Sequence, residues 1–231
     1  MSWVIEPSDQ PSLPVQGTGD RFAVGNIFCV GRNYSEHAVE MGGDPDREPP
    51  FFFIKPNFSL LEPGQDMVYP DHSIDVHYEV EMVVALGRGG RRVSVETAMQ
   101  LVYGYGVGID MTRRDLQAAA KDKRRPWEAG KSFVHAAPCS VITPIQQTGV
   151  IDAAAISLEI NDEVRQSGDI NQMIWKIPEI ISRLSELFIL CAGDLIYTGT
   201  PAGVGSIEIG DKLQANISGL PGLVFKISAP T

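Results

Sequence analysis

The sequence predicts a β-rich α+β fold. Short apolar stretches with β-branched residues recur, Gly and Pro clusters separate them, and helical periodicity is confined to a few short segments. At 231 residues and 43% hydrophobic content, the chain is long enough for one large domain with a substantial core. Residues 1–25 read as a lead-in, because the first twenty are rich in Pro, Gly, Ser and Asp and look loosely packed. Residues 26–231 then form a single domain.

Along the chain, the apolar run Asn26–Val30 feeds Gly31-Arg32-Asn33. Asn33 is a candidate N-cap, with Glu36 three residues on, for a two-turn helix Tyr34–Met41 that Gly42-Gly43-Asp44-Pro45 ends. Phe51–Lys55 and His77–Leu86 are strand candidates, the second with clear alternation. Gly87–Gly90 reads as a turn and Ser94–Val102 as a short helix. The Gly-rich stretch Gly104–Asp110 reads as a strand, after which Thr112 can cap a helix through Lys123, with Asp115 at its third position. Ile156–Ile160 and Leu195–Tyr197 read as strands joined by an amphipathic helix from Pro178. Its apolar face is Ile180, Ile181, Leu184, Leu187 and Phe188. A final hairpin is expected from Gly210.

Composition excludes whole classes of partner. A formal net charge of −10 repels phosphate backbones and anionic lipid, so neither nucleic acid nor membrane is expected. The start lacks a basic segment followed by an apolar one, and no apolar run approaches the ~20 residues that span a bilayer. Cys29, Cys139 and Cys191 are scattered among apolar neighbours without a CxxC, which suggests buried free thiols in the reducing cytoplasm. An anionic substrate would need locally placed positive charge.

The chemistry concentrates in a few places. In a strand, Glu79 and Glu81 point the same way about 7 Å apart, while Val80, Met82 and Val84 point into apolar packing. Two carboxylates beside a core are costly without a cation, and their oxygens suit a hard one; ordinary surface acids are the alternative. Asp110 ends the Gly-rich strand, and Arg114 and Gln117 follow one helical turn apart. Lys131 sits in an otherwise uncharged stretch, Ala-Gly-Lys-Ser-Phe. His37 and Glu40, three apart on the short helix, could form a proton-accepting dyad, or simply a surface pair. The turn Thr198-Gly199-Thr200-Pro201 matches no nucleotide-binding pattern. It could bring backbone N–H groups and the Thr200 hydroxyl up to a carboxylate.

Taken together, VGRNYSEHAVEM, FFFIKP, HYEVEMVVALG, GYGVGIDMTRRDLQ, GKSF and TGTPAGVG resemble the fumarylacetoacetate hydrolase family, especially its small acylpyruvase members. The six segments occur in the family's order from Ile27 to Gly205. The resemblance implies a mixed β-roll or barrel with short flanking helices, as a homodimer. It implies Mg2+ or Mn2+ held by Glu79, Glu81 and Asp110, and a water-activating dyad of His37 and Glu40 on a lid. It implies that Lys131 assists catalysis and that Arg114, Gln117, Thr200 and Lys55 contact substrate. The reaction implied is cleavage of the carbon–carbon bond of a small anionic acylpyruvate, such as fumarylpyruvate or acetylpyruvate, in the setting of aromatic catabolism. Oxaloacetate decarboxylation or a related isomerisation is the alternative, and a non-catalytic metal or carboxylate binder the remaining one.

Overall fold

The computed structural model describes residues 3–6, 8–34 and 48–230, so His37, Glu40 and the helix expected after Tyr34 lie outside the described residues. A six-stranded sheet carries the candidate site. Its order is Thr143–Pro144, Val102–Ile109, Val80–Leu86, Leu195–Tyr197, Ile27–Gly31 and Phe51–Lys55. All its pairings are antiparallel except that of Leu195–Tyr197 with Ile27–Gly31. Every residue of Val80–Leu86 is buried. Alternation sends Val80, Met82, Val84 and Leu86 into the larger core, and Val83 and Ala85 into a smaller one on the opposite face.

A five-stranded sheet runs Glu163–Asp169, Ala155–Ile160, Lys212–Ile217, Leu223–Ser228, Met67–Val68. Its inward residues, among them Leu158, Leu213 and Phe225, join the larger core. Neither large sheet closes on itself, so the β-rich α+β fold is an open roll and not a barrel. The hairpin expected from Gly210 is present as Lys212–Ile217 with Leu223–Ser228. The sequence reading omits Glu163–Asp169, whose mostly exposed residues EVRQSGD carry no apolar periodicity.

Several boundaries move for physical reasons. The strand expected over His77–Leu86 is two strands, Val76–Tyr78 and Val80–Leu86, with Glu79 between them. The first pairs instead with Thr112–Arg113 and Gly205–Ser206. The helix expected from a Thr112 cap spans Arg114–Asp122 and has no side-chain cap. Asp115 turns away to accept from the Ser73 hydroxyl at 2.7 Å and Ile74 N at 3.1 Å. Only Val95–Ala98 of the Ser94–Val102 segment is α-helical, and Val102 opens the next strand. In the helix Ile177–Leu187, Ile180, Ile181 and Leu184 are buried as expected. Leu187 is exposed, and Phe188, just past the helix end, is partly buried at the edge of the core against the Phe28 ring, 5.3 Å between centroids. The lead-in is not loose over its whole length: Ser12–Pro14 pairs with Arg21–Ala23, and Leu13 and Val15 are buried. Cys29 and Cys139 are buried, whereas Cys191 is exposed, against expectation. Among the described residues no helix is long and apolar enough to cross a membrane.

The Gly-rich strand has a packing reason. A Cβ on Gly108 would meet Val83 Cγ2 at 2.5 Å and Tyr197 Cε1 at 2.6 Å. That ring cannot move aside, because the Tyr197 hydroxyl donates to Pro138 O at 3.0 Å and is wholly buried. Gly108→Ala is therefore expected to cost about 1–3 kcal/mol through overpacking, read as a lower denaturation midpoint. An unchanged midpoint would show that the two strands yield without strain.

Candidate active site

The interruption at Glu79 shapes the site. Asp110 N donates to Glu79 O at 2.8 Å, which ties the end of Val102–Ile109 to the break and brings Asp110 alongside. Glu81 is the first inward acid of the following strand. Glu79, Glu81 and Asp110 are all buried, and each offers an oxygen within 4.8 Å of the others.

Three cations face these three acids. Lys131 Nζ donates to Glu79 Oε2 at 2.8 Å, Asp110 Oδ2 at 2.7 Å and Thr112 Oγ1 at 2.6 Å. Burial alone would depress the Lys131 ammonium, but Asp110 and Glu79 together outweigh it and hold the group above the ordinary lysine value. Arg114 reaches Glu79 Oε1 at 2.5 Å and Gln117 Oε1 at 2.7 Å. Its Nε faces His77 Nδ1 at 3.3 Å, and His77 Nε2 lies 2.9 Å from Asp75. Lys55 is fully buried and bonds Met111 O at 3.0 Å and Lys131 O at 2.5 Å, with Asp110 Oδ1 at 2.7 Å. Lys55, expected to contact substrate, here has its ammonium beside Asp110 and bonded to backbone oxygens, and it is not among the residues lining the cavity.

Glu81 is the odd member. Its Oε2 accepts from Gly199 N at 2.7 Å, and among the described residues it has no ion-pair partner. Burial, then Asp110 and then Glu79, raise its pKa well above the ordinary glutamate value. The Gly199 N–H does meet a carboxylate, but it is the protein's own. The turn requires glycine there, since φ is +97° and a Cβ would lie 2.6 Å from that of Asn33. Asn33 braces the same turn, donating to Thr198 O at 2.8 Å and Trp175 O at 2.9 Å and accepting from Trp175 N at 2.7 Å. The Thr200 hydroxyl lines the cavity and accepts from Gln166 Nε2 at 2.8 Å, leaving its own proton free to donate inward.

The donor set fits a hard divalent cation. It offers carboxylate oxygens only, Glu81 has no ion pair among the described residues, and Asp110 Oδ1 makes no hydrogen bond despite the nearby Lys55. The structure therefore brings Glu79, Glu81, Asp110, Arg114, Gln117, Lys131 and Thr200 around one cavity. It also adds residues the sequence reading left out. Thr112 serves Lys131, and Gln166 bonds Val80 N, Thr200 and Pro201 O. Arg32, Lys121 and Trp127 line the cavity as well. A polar Gln in an exposed strand gives no local signal of such a role.

Residues 26–228 match the family model described as fumarylacetoacetate (FAA) hydrolase C-terminal. A fumarylpyruvate hydrolase from Ralstonia sp is 45% identical over 77% of this chain and 92% of its own length. The human oxaloacetate tautomerase FAHD1, mitochondrial, is 38% identical over 89% of this chain and 92% of its own. The crystal structure of fumarylpyruvate hydrolase from Pseudomonas aeruginosa in complex with Mn2+ and pyruvate superposes with a TM-score of 0.96. It is 44% identical and covers 99% of this chain and 100% of that one.

Proposed function

Because the chain belongs to the fumarylacetoacetate hydrolase family, we propose that it is a metal-dependent hydrolase cleaving an acylpyruvate to pyruvate and a carboxylic acid. The observation that carries this reading is the buried triad Glu79, Glu81 and Asp110 set among Lys131, Arg114 and Gln117 in one cavity. Three carboxylates and the three cations Lys55, Lys131 and Arg114 cancel in formal charge. A bound Mg2+ or Mn2+ thus leaves the site net positive inside an acidic protein, as an α-keto carboxylate requires.

Glu79, Glu81 and Asp110 would hold the ion, which supplies Lewis acidity when bound. The side chains divide the remaining work. Arg114, which donates to both Glu79 and Gln117, orients the keto-acid end together with Gln117. The Thr200 hydroxyl donates to a substrate oxygen, with Gln166 fixing its rotamer. Lys131 sets positive charge where the departing three-carbon fragment becomes anionic. His37, oriented by Glu40, takes the proton of the attacking water, a role that rests on the family resemblance. Residues 26–231 then form the catalytic domain of a cytoplasmic homodimer.

The test is steady-state turnover of acetylpyruvate and fumarylpyruvate with Mn2+ or Mg2+, against EDTA and against His37→Ala. Metal-dependent cleavage is expected, falling by about 10²–10⁴-fold in the variant. Turnover indifferent to EDTA, or full activity without His37, would sink the mechanism. A second reading, oxaloacetate tautomerase or decarboxylase, draws on the human relative and on an oxaloacetate decarboxylase, mitochondrial, of Dictyostelium discoideum at 38% identity. It has less need of His37, so oxaloacetate turnover retained in His37→Ala, with no diketo-acid cleavage, would favour it.

A further inference from the structure

The cavity continues past the triad along an aromatic wall. Lys131 Nζ lies 5.0 Å from the Phe53 ring, which stands 6.2 Å from that of Trp127. Phe51 packs edge-on to Trp127 at 5.4 Å. At the far end, Lys121 Nζ lies 5.9 Å from the Trp127 ring, and Arg32 also lines the cavity. One aromatic-walled cavity thus carries Lys131 beside Phe53 and Lys121 beside Trp127, with Arg32 in the same lining.

The far cations differ in kind from those at the triad. Lys131, Arg114 and Lys55 are spent on Glu79 and Asp110. Among the described residues, neither Arg32 nor Lys121 has an ion pair. Two cations without an ion pair among the described residues thus share one cavity in a chain that carries 29 acidic residues against 19 Lys and Arg. Both are half-buried. Burial first, then the charges of Arg32 and Arg114, hold the Lys121 ammonium below the ordinary lysine value. Keeping like charges together in a partly desolvated place costs free energy, and an anion entering between them recovers it.

We infer that Arg32 and Lys121 form a second anion subsite that binds a carboxylate at the distal end of the acyl group. Phe53 and Trp127 bind the flat carbon chain between the two ends. The inference rests on the acylpyruvate reading and narrows it. The preferred substrate is a dicarboxylate of the fumaryl type, with its distal carboxylate held at Arg32 and Lys121, and not an acetyl or other uncharged acyl compound.

The experiment compares kcat/KM for fumarylpyruvate and crotonylpyruvate, which carries a methyl in place of the distal carboxylate. It uses the wild type, Arg32→Met, Lys121→Met and the double variant. The wild type is expected to favour fumarylpyruvate, and each substitution to lower that preference by about tenfold, mainly through KM, as lost uniform binding does. Lys121→Arg, which keeps the charge, should restore most of the preference. A merely structural role would lower both substrates together and leave the ratio unchanged. An unchanged ratio in the double variant, or a wild type indifferent to the methyl, overturns the subsite. If the wild type cleaves neither compound, the hydrolase reading falls, and calorimetric titration with fumarate against crotonate decides the subsite alone. A fumarate preference lost in the double variant upholds it, and no preference overturns it.

Discussion

Glu81→Gln is expected to abolish metal-dependent turnover while leaving the metal-free protein at least as stable as its parent near neutral pH. The two effects have one origin. Glu81 is buried, lacks an ion-pair partner among the described residues, and shares its site with Glu79 and Asp110. A glutamine carbonyl can still accept from Gly199 N, so the hydrogen bond survives while the repulsion disappears. Loss of one of three carboxylate ligands should weaken Mn2+ binding by about a hundredfold or more. In the wild type the folded state holds the Glu81 proton more tightly than the unfolded chain does. The contribution of Glu81 to the stability of the metal-free protein is thus fully present below the ordinary glutamate range and is lost as pH rises through the folded-state value. Metal must displace that proton, so Mn2+ affinity should rise with pH over the same interval and release protons. Calorimetry in buffers of different ionisation enthalpy, beside denaturation without metal, measures both effects. A variant that is less stable without metal, or that binds Mn2+ as tightly as its parent, would contradict this account.

Lys131→Met should do the reverse to the metal-free protein. Its ammonium is buried and bonded to Glu79, Asp110 and Thr112, so removing it leaves two carboxylates without that counter-charge. Breaking a buried charge pair from one side typically costs about 3–5 kcal/mol, and that loss is expected without metal. Added Mn2+ should recover part of it, since the ion brings positive charge to the same oxygens. Turnover should not return, because the charge that meets the departing fragment is gone, and a loss of about 10²–10³-fold is expected. Denaturation midpoints with and without Mn2+, together with kcat for the metal-loaded variant, test this pair of outcomes. Parental stability without metal would mean that water screens Glu79 and Asp110 far better than their burial implies.

The acids were legible because their spacing is local. The two-residue period expected of a strand puts Glu79 and Glu81 on one side, which holds although Glu79 falls in a break, and Asp110 follows a strand whose glycines are visible in the sequence. Arg114 and Gln117 are one helical turn apart and do hydrogen-bond. What could not be read depends on distant partners. Gln166 meets Val80 from 86 residues away, and Lys55 meets Asp110 only because two strands and a short helix converge. Thr112 shows local preference losing to tertiary chemistry. The capping rule assigns its hydroxyl to the next helix, but a buried ammonium 2.6 Å away claims it. The break at Glu79 is hidden for the same reason, since Val76–Tyr78 leaves the long strand for partners at Thr112–Arg113 and Gly205–Ser206.

The strand order also governs how the molecule can be made. Leu195–Tyr197 lies between Val80–Leu86 and Ile27–Gly31, so the middle of the six-stranded sheet is supplied by the last fifth of the chain. While a ribosome is still adding that portion, the strands on either side have no neighbour at their shared edge, and the Gly199 N–H that receives Glu81 does not yet exist. Contacts of such long separation slow folding and withhold partial structure. The nascent chain must wait for its own C-terminal segment before Glu81 receives its hydrogen bond from Gly199 N. Shortened products ending before Leu195 should consequently be recognised as unfolded throughout, with no stable N-terminal half to accumulate.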